Sequence, residues 1–282
     1  MRFGVTPAVD APVTSKAFLL GYTQAAEDLG FDTVWFPDHV VKPASYESQY
    51  PYAERFPYED VPLADPLILM AAVAAVTQKI RLGTSILVLP QRNPVVLAKQ
   101  VATLDVISDG RVDLGVGAGW LREEFEAIGA PWERRGQRTD EHIEAMRAMW
   151  TQPEASYHGE LVRFDRLICD PKPVQPGGVP IIIGGHSPAA ARRAGRLGDG
   201  FMPMAFGRKW REVIAEMRAA AEQAGRDPDA IELIGGGVPD PAIIEKQAAM
   251  GISRVSFQTQ GNDLPSSLRS LEQVARAVMA TA

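Results

Sequence analysis

Between Ile80 and Trp120 the chain reads strand, helix, strand, and no other stretch restricts its possible folds as strongly. Ile80–Leu89 is dense in β-branched and aliphatic residues, as expected of a strand covered on both faces. Asn93-Pro94 reads as a helix start: Asn supplies an N-cap acceptor, and proline at the first helical position gives up an N–H that has no intrahelical partner. Ser108-Asp109-Gly110 predicts the helix end, because glycine takes the left-handed conformation at little cost. Val112, Leu114 and Val116 then carry a strand into Gly115-Val-Gly-Ala-Gly119-Trp120. Strands joined through one helix run parallel, so a ligand site is expected at their carboxyl ends.

The alternation extends along the chain. Strands are expected at Phe3–Thr6, Thr33–Phe36, Pro180–Ile183, Phe201–Met204, Ile231–Ile234 and Arg254–Gln258. Helices are expected over Lys16–Leu29, Pro66–Thr77, Glu141–Trp150, Pro188–Leu197, Lys209–Ala224, Ala242–Met250 and Ser267–Met279, with a small hairpin at Tyr157–Phe164 turning at His158-Gly159. Eight βα units imply one closed (β/α)8 TIM barrel, α/β in class, spanning residues 1–282 as a single domain. Insertions follow strand two (Val41–Pro66) and strand four (Arg122–Gly178). Irregular segments of this length tend to serve as lids or binding walls. Surface decoration or a subunit contact is the rival reading.

A net charge of −6 spread over both signs leaves no basic stripe for nucleic acid. Cys169 is the only cysteine, which excludes an internal disulfide and fits a reducing cytoplasm. The chain opens as a strand with no apolar leader core, and its longest apolar run, Leu67–Val76, is far short of the ~20 residues that span a bilayer. A cytoplasmic protein acting on a small-molecule substrate, with no membrane partner, is expected.

Asp38-His39 follows strand two, where a neutral imidazole can bond a substrate oxygen or pass a proton; bracing of the loop is the alternative. Gly115–Gly119 is not a dinucleotide fingerprint, since no acidic residue closes a second strand about twenty residues on. Small residues there instead suit close approach of a planar ring. Gly184-Gly185-His186-Ser187 precedes the helix at Pro188, where free N–H groups and the helix dipole favour an anion such as phosphate. Gly235-Gly-Gly237, after strand seven, is a rival phosphate loop on fold grounds. The four histidines show no metal-ligand spacing, and no nucleophile elbow is present.

TSILVLPQRNP, LAKQVATLDVISDGRVDLGVGAGWLREEFEAIG and GGHSPAAARRAGRLGDGF resemble the luciferase-like flavin and deazaflavin oxidoreductases, most closely the branch that uses coenzyme F420. The resemblance runs from FGVTP to the last strand. It implies catalysis by His39 with Asp38, and a cofactor ring surrounded by Asp38, His39, Ser85, Ile86, Gly117, Ala118 and Gly119. It further implies a cis peptide between Ser85 and Ile86, phosphate held by Gly184, Gly185, His186 and Ser187, and a homodimer formed through outer helices. Leu69, Val73 and Val76 are candidates for that contact, although the same residues suit packing on the strands. Trp120 stands where the sugar-phosphate dehydrogenases of this branch carry a catalytic glutamate, which puts that activity in doubt. With Tyr46, Tyr50 and Tyr52, Trp120 is expected to wall the substrate.

The reading that follows is an oxidoreductase moving a hydride between F420 and an organic substrate. Its rivals are an FMN-dependent monooxygenase that uses O2 and a flavin-binding barrel without turnover.

Overall fold

The computed structural model describes residues 1–203 and 207–279. Its strands are β1 (Arg2–Thr6), β2 (Thr33–Phe36), β3 (Arg81–Thr84), β4 (Leu87–Val88), β5 (Val112–Gly117), β6 (Ala155–His158), β7 (Arg163–Leu167), β8 (Ile181–Gly184), β9 (Gly200–Met202), β10 (Glu232–Gly236) and β11 (Arg254–Gln258). Its helices are α1 (Lys16–Asp28), α2 (Pro66–Ala74), α3 (Pro94–Ile107), α4 (Arg122–Ala127), α5 (Arg135–Thr151), α6 (Pro188–Leu197), α7 (Gly207–Gln223), α8 (Pro241–Ala249) and α9 (Leu264–Met279).

The sheet runs β3-β2-β1-β11-β10-β9-β8-β5-β4, and β3 also pairs with β5, so it closes on itself. Every pairing in it is parallel. β3 and β4 are two parts of one barrel strand, which leaves the expected eight. The sixth strand ends at Met202, and Met204 of the expected strand lies outside the described residues.

The local signals act as expected. Asn93 accepts from the N–H groups of Val95 and Val96 at 3.0 and 3.2 Å, and Gly110 ends the helix at φ 77°. Three differences matter. The third strand is not continuous over Ile80–Leu89 but breaks at Ser85-Ile86, and Leu89–Gln91 winds into a single 3-10 turn. The second insertion holds the unexpected short helix α4, and α5 begins at Arg135 rather than Glu141. The β6–β7 hairpin extends over Ala155–Leu167, wider than expected, and Gly159 N–H bonds the Val162 carbonyl across its turn.

Packing layers follow from side-chain alternation on the strands. Outward residues meet the helices in the main apolar core. Inside the barrel, Trp35, Ile182 and Ile234 form a separate cluster. Gly4 and Gly83 make room for the Trp35 ring; a β-carbon on Gly4 would sit 2.6 Å from its Nε1. Leu69 and Val73 are buried against the strands, the second of the two settings open to them, and Val76 is half-buried. The outer face of α2 and α3 instead exposes Ile68, Val96 and Ile107. No described helix is long and apolar enough to cross a membrane.

Candidate active site

The carboxyl ends of the strands open into a cavity of ≈ 620 Å³. That is within the range of ~300–1,000 Å³ common for organic ligands. Asp38, His39, Tyr50, Tyr52, Ser85, Ile86, Gly117, Ala118, Gly119, Trp120 and the turn Gly184–Ser187 all line it. Loops from β2, β5 and β8 and the break between β3 and β4 thus converge on one space.

Asp38 is buried and both of its oxygens are engaged: Oδ2 accepts from Val88 N–H at 3.0 Å and Oδ1 from Arg92 at 2.7 Å. Burial raises its pKa, and Arg92 pulls against that rise. Arg92 also reaches Asp65, the N-cap of α2, at 2.9 Å. The contacts of Asp38 therefore brace β4 and the start of α2. Nδ1 of His39 lies 2.8 Å from Glu124 Oε2, while Glu124 Oε1 accepts from Val40 N–H at 2.6 Å and Val41 N–H at 3.3 Å. Burial works to raise the Glu124 carboxyl, but the bond to His39 and these N–H donors outweigh it and hold its pKa below the ordinary value. A carboxylate thus does reach the site, one helical turn beyond Trp120. The Leu-Arg-Glu-Glu-Phe run, polar on one side of a buried Phe125, was the only sequence sign of it.

The Ser85–Ile86 peptide is cis. The Ile86 side chain enters a cradle of glycines. A β-carbon on Gly117 would collide with Ile86, and one on Gly184 would sit 2.5 Å from its Cγ2. Gly119, at φ 78°, leaves space taken by Phe125 and Val88. These glycines are small because neighbouring side chains occupy their β-carbon positions. The Ile86 side chain lines the cavity, carried on Gly117 and Gly184.

At the other end of the cavity Gly185 holds φ 113°, a backbone state that favours glycine. Ser187 caps α6 by accepting from Ala190 N–H at 3.1 Å, which leaves its own hydroxyl hydrogen to donate. Among the described residues no acceptor takes the N–H groups of His186, Ser187 or Ala189. His186 Nδ1 is also buried without a partner, and burial followed by the charge of Lys209 lowers the imidazole pKa. Unpaired donors at a helix start form an anion site. Gly235–Gly237, the rival loop, is outside the cavity lining.

The first insertion folds over the opening as an aromatic cover. Tyr50 and Phe56 meet Trp120 at centroid distances of 5.2 and 5.3 Å, and Tyr52 meets His186 at 4.7 Å. Burial, with Tyr52 and Tyr58 nearby, pushes the Tyr50 phenol up to about 12, so it stays a neutral donor. Tyr46 packs against Trp120 but does not line the cavity, unlike the expectation for it. Glu123 pins this cover by accepting from Glu47 and Ser48 N–H at 2.7 and 3.1 Å. Trp132, Arg135 and Arg193, from the second insertion and α6, complete the wall and escaped the sequence reading. Arg193 is paired with Asp140. The Arg135 guanidinium lies 3.7 Å from the Trp132 ring centroid and donates to Gly119 O at 3.3 Å; no carboxylate among the described residues pairs with it.

Comparison with known proteins supplies the family. Residues 1–242 match the model of the luciferase-like monooxygenases. The chain belongs to this family. An uncharacterised protein of Mycobacterium tuberculosis is 33% identical over 99% of both chains. An F420-dependent glucose-6-phosphate dehydrogenase of Amycolatopsis mediterranei is 33% identical over 75% of this chain and 62% of its own. An FMNH2-dependent dimethylsulfone monooxygenase of Pseudomonas putida is 40% identical, over 45% of this chain and 36% of its own. Among solved structures, the monooxygenase RslO1 of Streptomyces bottropensis superposes with a TM-score of 0.78 at 23% identity, covering 100% of this chain and 99% of that one. An F420-dependent secondary alcohol dehydrogenase gives a TM-score of 0.78 at 21% identity over 98% of each chain. Family membership and fold agree with the luciferase-like barrel read from the sequence.

Proposed function

We propose that the protein is an F420-dependent oxidoreductase that moves a hydride between the deazaflavin and a small organic substrate. The observation that carries this reading is the joining, in one cavity, of an apolar ledge at Ile86, an imidazole at His39 and unpaired N–H donors at the start of α6. An apolar ledge and an anion-binding helix start in one cavity suit a planar ring with a phosphorylated side chain. When bound, the deazaflavin supplies the ring carbon that takes or gives the hydride. Ile86 supports one ring face, His186, Ser187 and Ala189 hold the phosphate through their N–H groups, and Arg135 offers a cation in the same cavity. His39 holds or moves the proton at the substrate oxygen, and the aromatic cover excludes water. The F420-dependent relative, matched over three quarters of this chain, supports the deazaflavin. The likeness to an FMNH2-dependent monooxygenase supports FMN as the second reading.

Anaerobic titration with oxidised and reduced F420 and FMN separates these readings. Tight F420 binding is expected, and Gly185→Asp, which puts a carboxylate in the anion site, should weaken it while Gly237→Asp does not. Binding of FMNH2 alone would favour the monooxygenase, and binding without turnover on any substrate panel would leave a flavin-binding barrel. A homodimer through the exposed Ile68, Val96 and Ile107 face of α2 and α3 is also proposed. Sedimentation should show Ile68→Asp as a monomer; a parent monomeric at every concentration overturns the dimer.

A further inference from the structure

A second helix start opens on the same cavity. α5 has Arg134 as its N-cap, in the left-handed conformation at φ 57°, and no side chain caps it. Among the described residues no acceptor takes the N–H groups of Arg135, Gly136 or Gln137, and the first turn carries no acidic residue. Arg135 and Gly136 both line the cavity. The Arg135 guanidinium lies 3.7 Å from the Trp132 ring centroid and uses only its Nε hydrogen, on Gly119 O at 3.3 Å. Its terminal nitrogens are left as an open fork. Burial lowers its pKa, and no carboxylate among the described residues offsets that. Glu160, on the hairpin turn, is already held by Arg134 at 2.5 Å and by the Gln137 amide at 2.9 Å. Asp38 is the only carboxylate among the described residues that line the cavity, and it is committed to Arg92.

We propose that the start of α5, with the Arg135 fork, is a second oxyanion site in the cavity and takes the carboxylate of an organic-acid substrate. This names the substrate class of the oxidoreductase reading and rests on that reading for turnover, but not for binding. The α6 start, with the unpaired N–H groups of His186, Ser187 and Ala189 and the Ser187 hydroxyl, supplies donors enough for one phosphate. The α5 start is anchored instead at the end of β5, through Gly119 O, next to Trp120 of the aromatic wall. A planar guanidinium pairs with both oxygens of a carboxylate, and the helix dipole adds to that attraction. An acid with an apolar body then sets its charged end on Arg135 and its body against Trp120, Tyr50 and Phe56. A neutral amide of the same shape brings no charge to the fork, so Arg135 selects acids over their amides.

The test is calorimetric titration of the full chain, with and without F420, using aryl and alkyl carboxylates each matched by its primary amide. The parent should bind the acids about 10-fold more tightly than the amides, or better, as a charge-assisted pair does over a neutral one. Arg135→Gln should erase that preference, and Arg135→Lys, which keeps the charge, should retain part of it. The Kd for F420 should change by less than about 2-fold in Arg135→Gln, as expected of independent sites. A parent without preference for acids, or a folded Arg135→Gln that keeps the preference, overturns the proposal. A larger fall in F420 affinity in Arg135→Gln gives the guanidinium to the cofactor phosphate and overturns it as well. If Arg135→Gln does not fold, Arg135→Met, which keeps an apolar stem on Trp132, takes its place with the same expectations. Acid binding is also read without cofactor, so failure of F420 to bind sinks the F420 reading alone and leaves the carboxylate result distinct from it.

Discussion

At the amino end of the barrel Arg254 is flanked by Asp113 at 2.5 Å and Glu232 at 2.7 Å, and Arg81 binds Asp113 from the other side at 2.6 Å. At the carboxyl end His39, His186, Ser187 and Arg135 line a cavity, and among the described residues no acceptor takes the first N–H groups of α6 and no carboxylate pairs with Arg135. The same closed sheet holds both ends. Burial works against the Arg254 charge, but Asp113 and Glu232 outweigh it and keep its pKa above the ordinary value. Burial likewise works to raise Asp113, and its two arginines hold it low. The amino end satisfies its polar groups internally and serves stability. The carboxyl end leaves donors unsatisfied, at a cost in stability that a ligand can recover.

The largest effect is expected from Arg254→Met, which leaves Asp113 to Arg81 alone and Glu232 to Arg2 alone in the barrel floor. Breaking one side of a buried ion pair typically costs about 3–5 kcal/mol. Urea unfolding should show that loss, with cofactor affinity of the folded variant unchanged. A loss below 1 kcal/mol would mean the floor is solvated and the contrast between the two ends fails.

Next comes pH. His142 on α5 is buried, and burial lowers its pKa to about 4. As pH falls from the ordinary histidine value towards that one, the unfolded chain takes a proton that the native state refuses. Stability should therefore drop by about 3 kcal/mol across that window. Asp113 acts lower: its depressed pKa gives stability that is present above the ordinary carboxylate value and lost as pH falls through the folded one. Denaturation midpoints measured against pH should show both steps, and His142→Gln should remove the upper step alone. A variant that keeps the upper step assigns it to another group.

Gly184→Ala sharpens the contrast at the site end. Its methyl would sit 2.5 Å from Ile86 Cγ2 and push the ledge into the cavity. Overpacking of this kind costs about 1–3 kcal/mol. Cofactor affinity should fall, and Ile86→Ala in the same chain should restore part of it. Additive losses in that double-mutant cycle would separate Gly184 from Ile86.

The smallest effect is expected from Tyr52→Ala, which removes the edge contact to His186. An aromatic contact is worth about 0.5–1.5 kcal/mol, so cofactor affinity should weaken roughly 2- to 10-fold with unfolding unchanged. No change in affinity would make the cover a wall for substrate alone.

Local signals carried the barrel. Asn93-Pro94, Gly110 and the aliphatic strands each specify their own backbone state, and repetition of the βα unit leaves a closed parallel sheet as its outcome. The turn at Gly184–Ser187 was legible for the same reason, since a helix start exposes its donors wherever it lies. Tertiary structure alone decided the rest. Leu69 and Val73 are apolar in either setting, and only the seat of α2 on the strands turned them inward. Glu124 lies 85 residues from His39 in the chain, yet meets it at 2.8 Å through the packing of α4 under the first insertion. The glycine cradle of Ile86 is likewise made of contacts between strands distant in the chain. Periodicity reports which face of an element is apolar, but carries no information on which distant partner that face will meet.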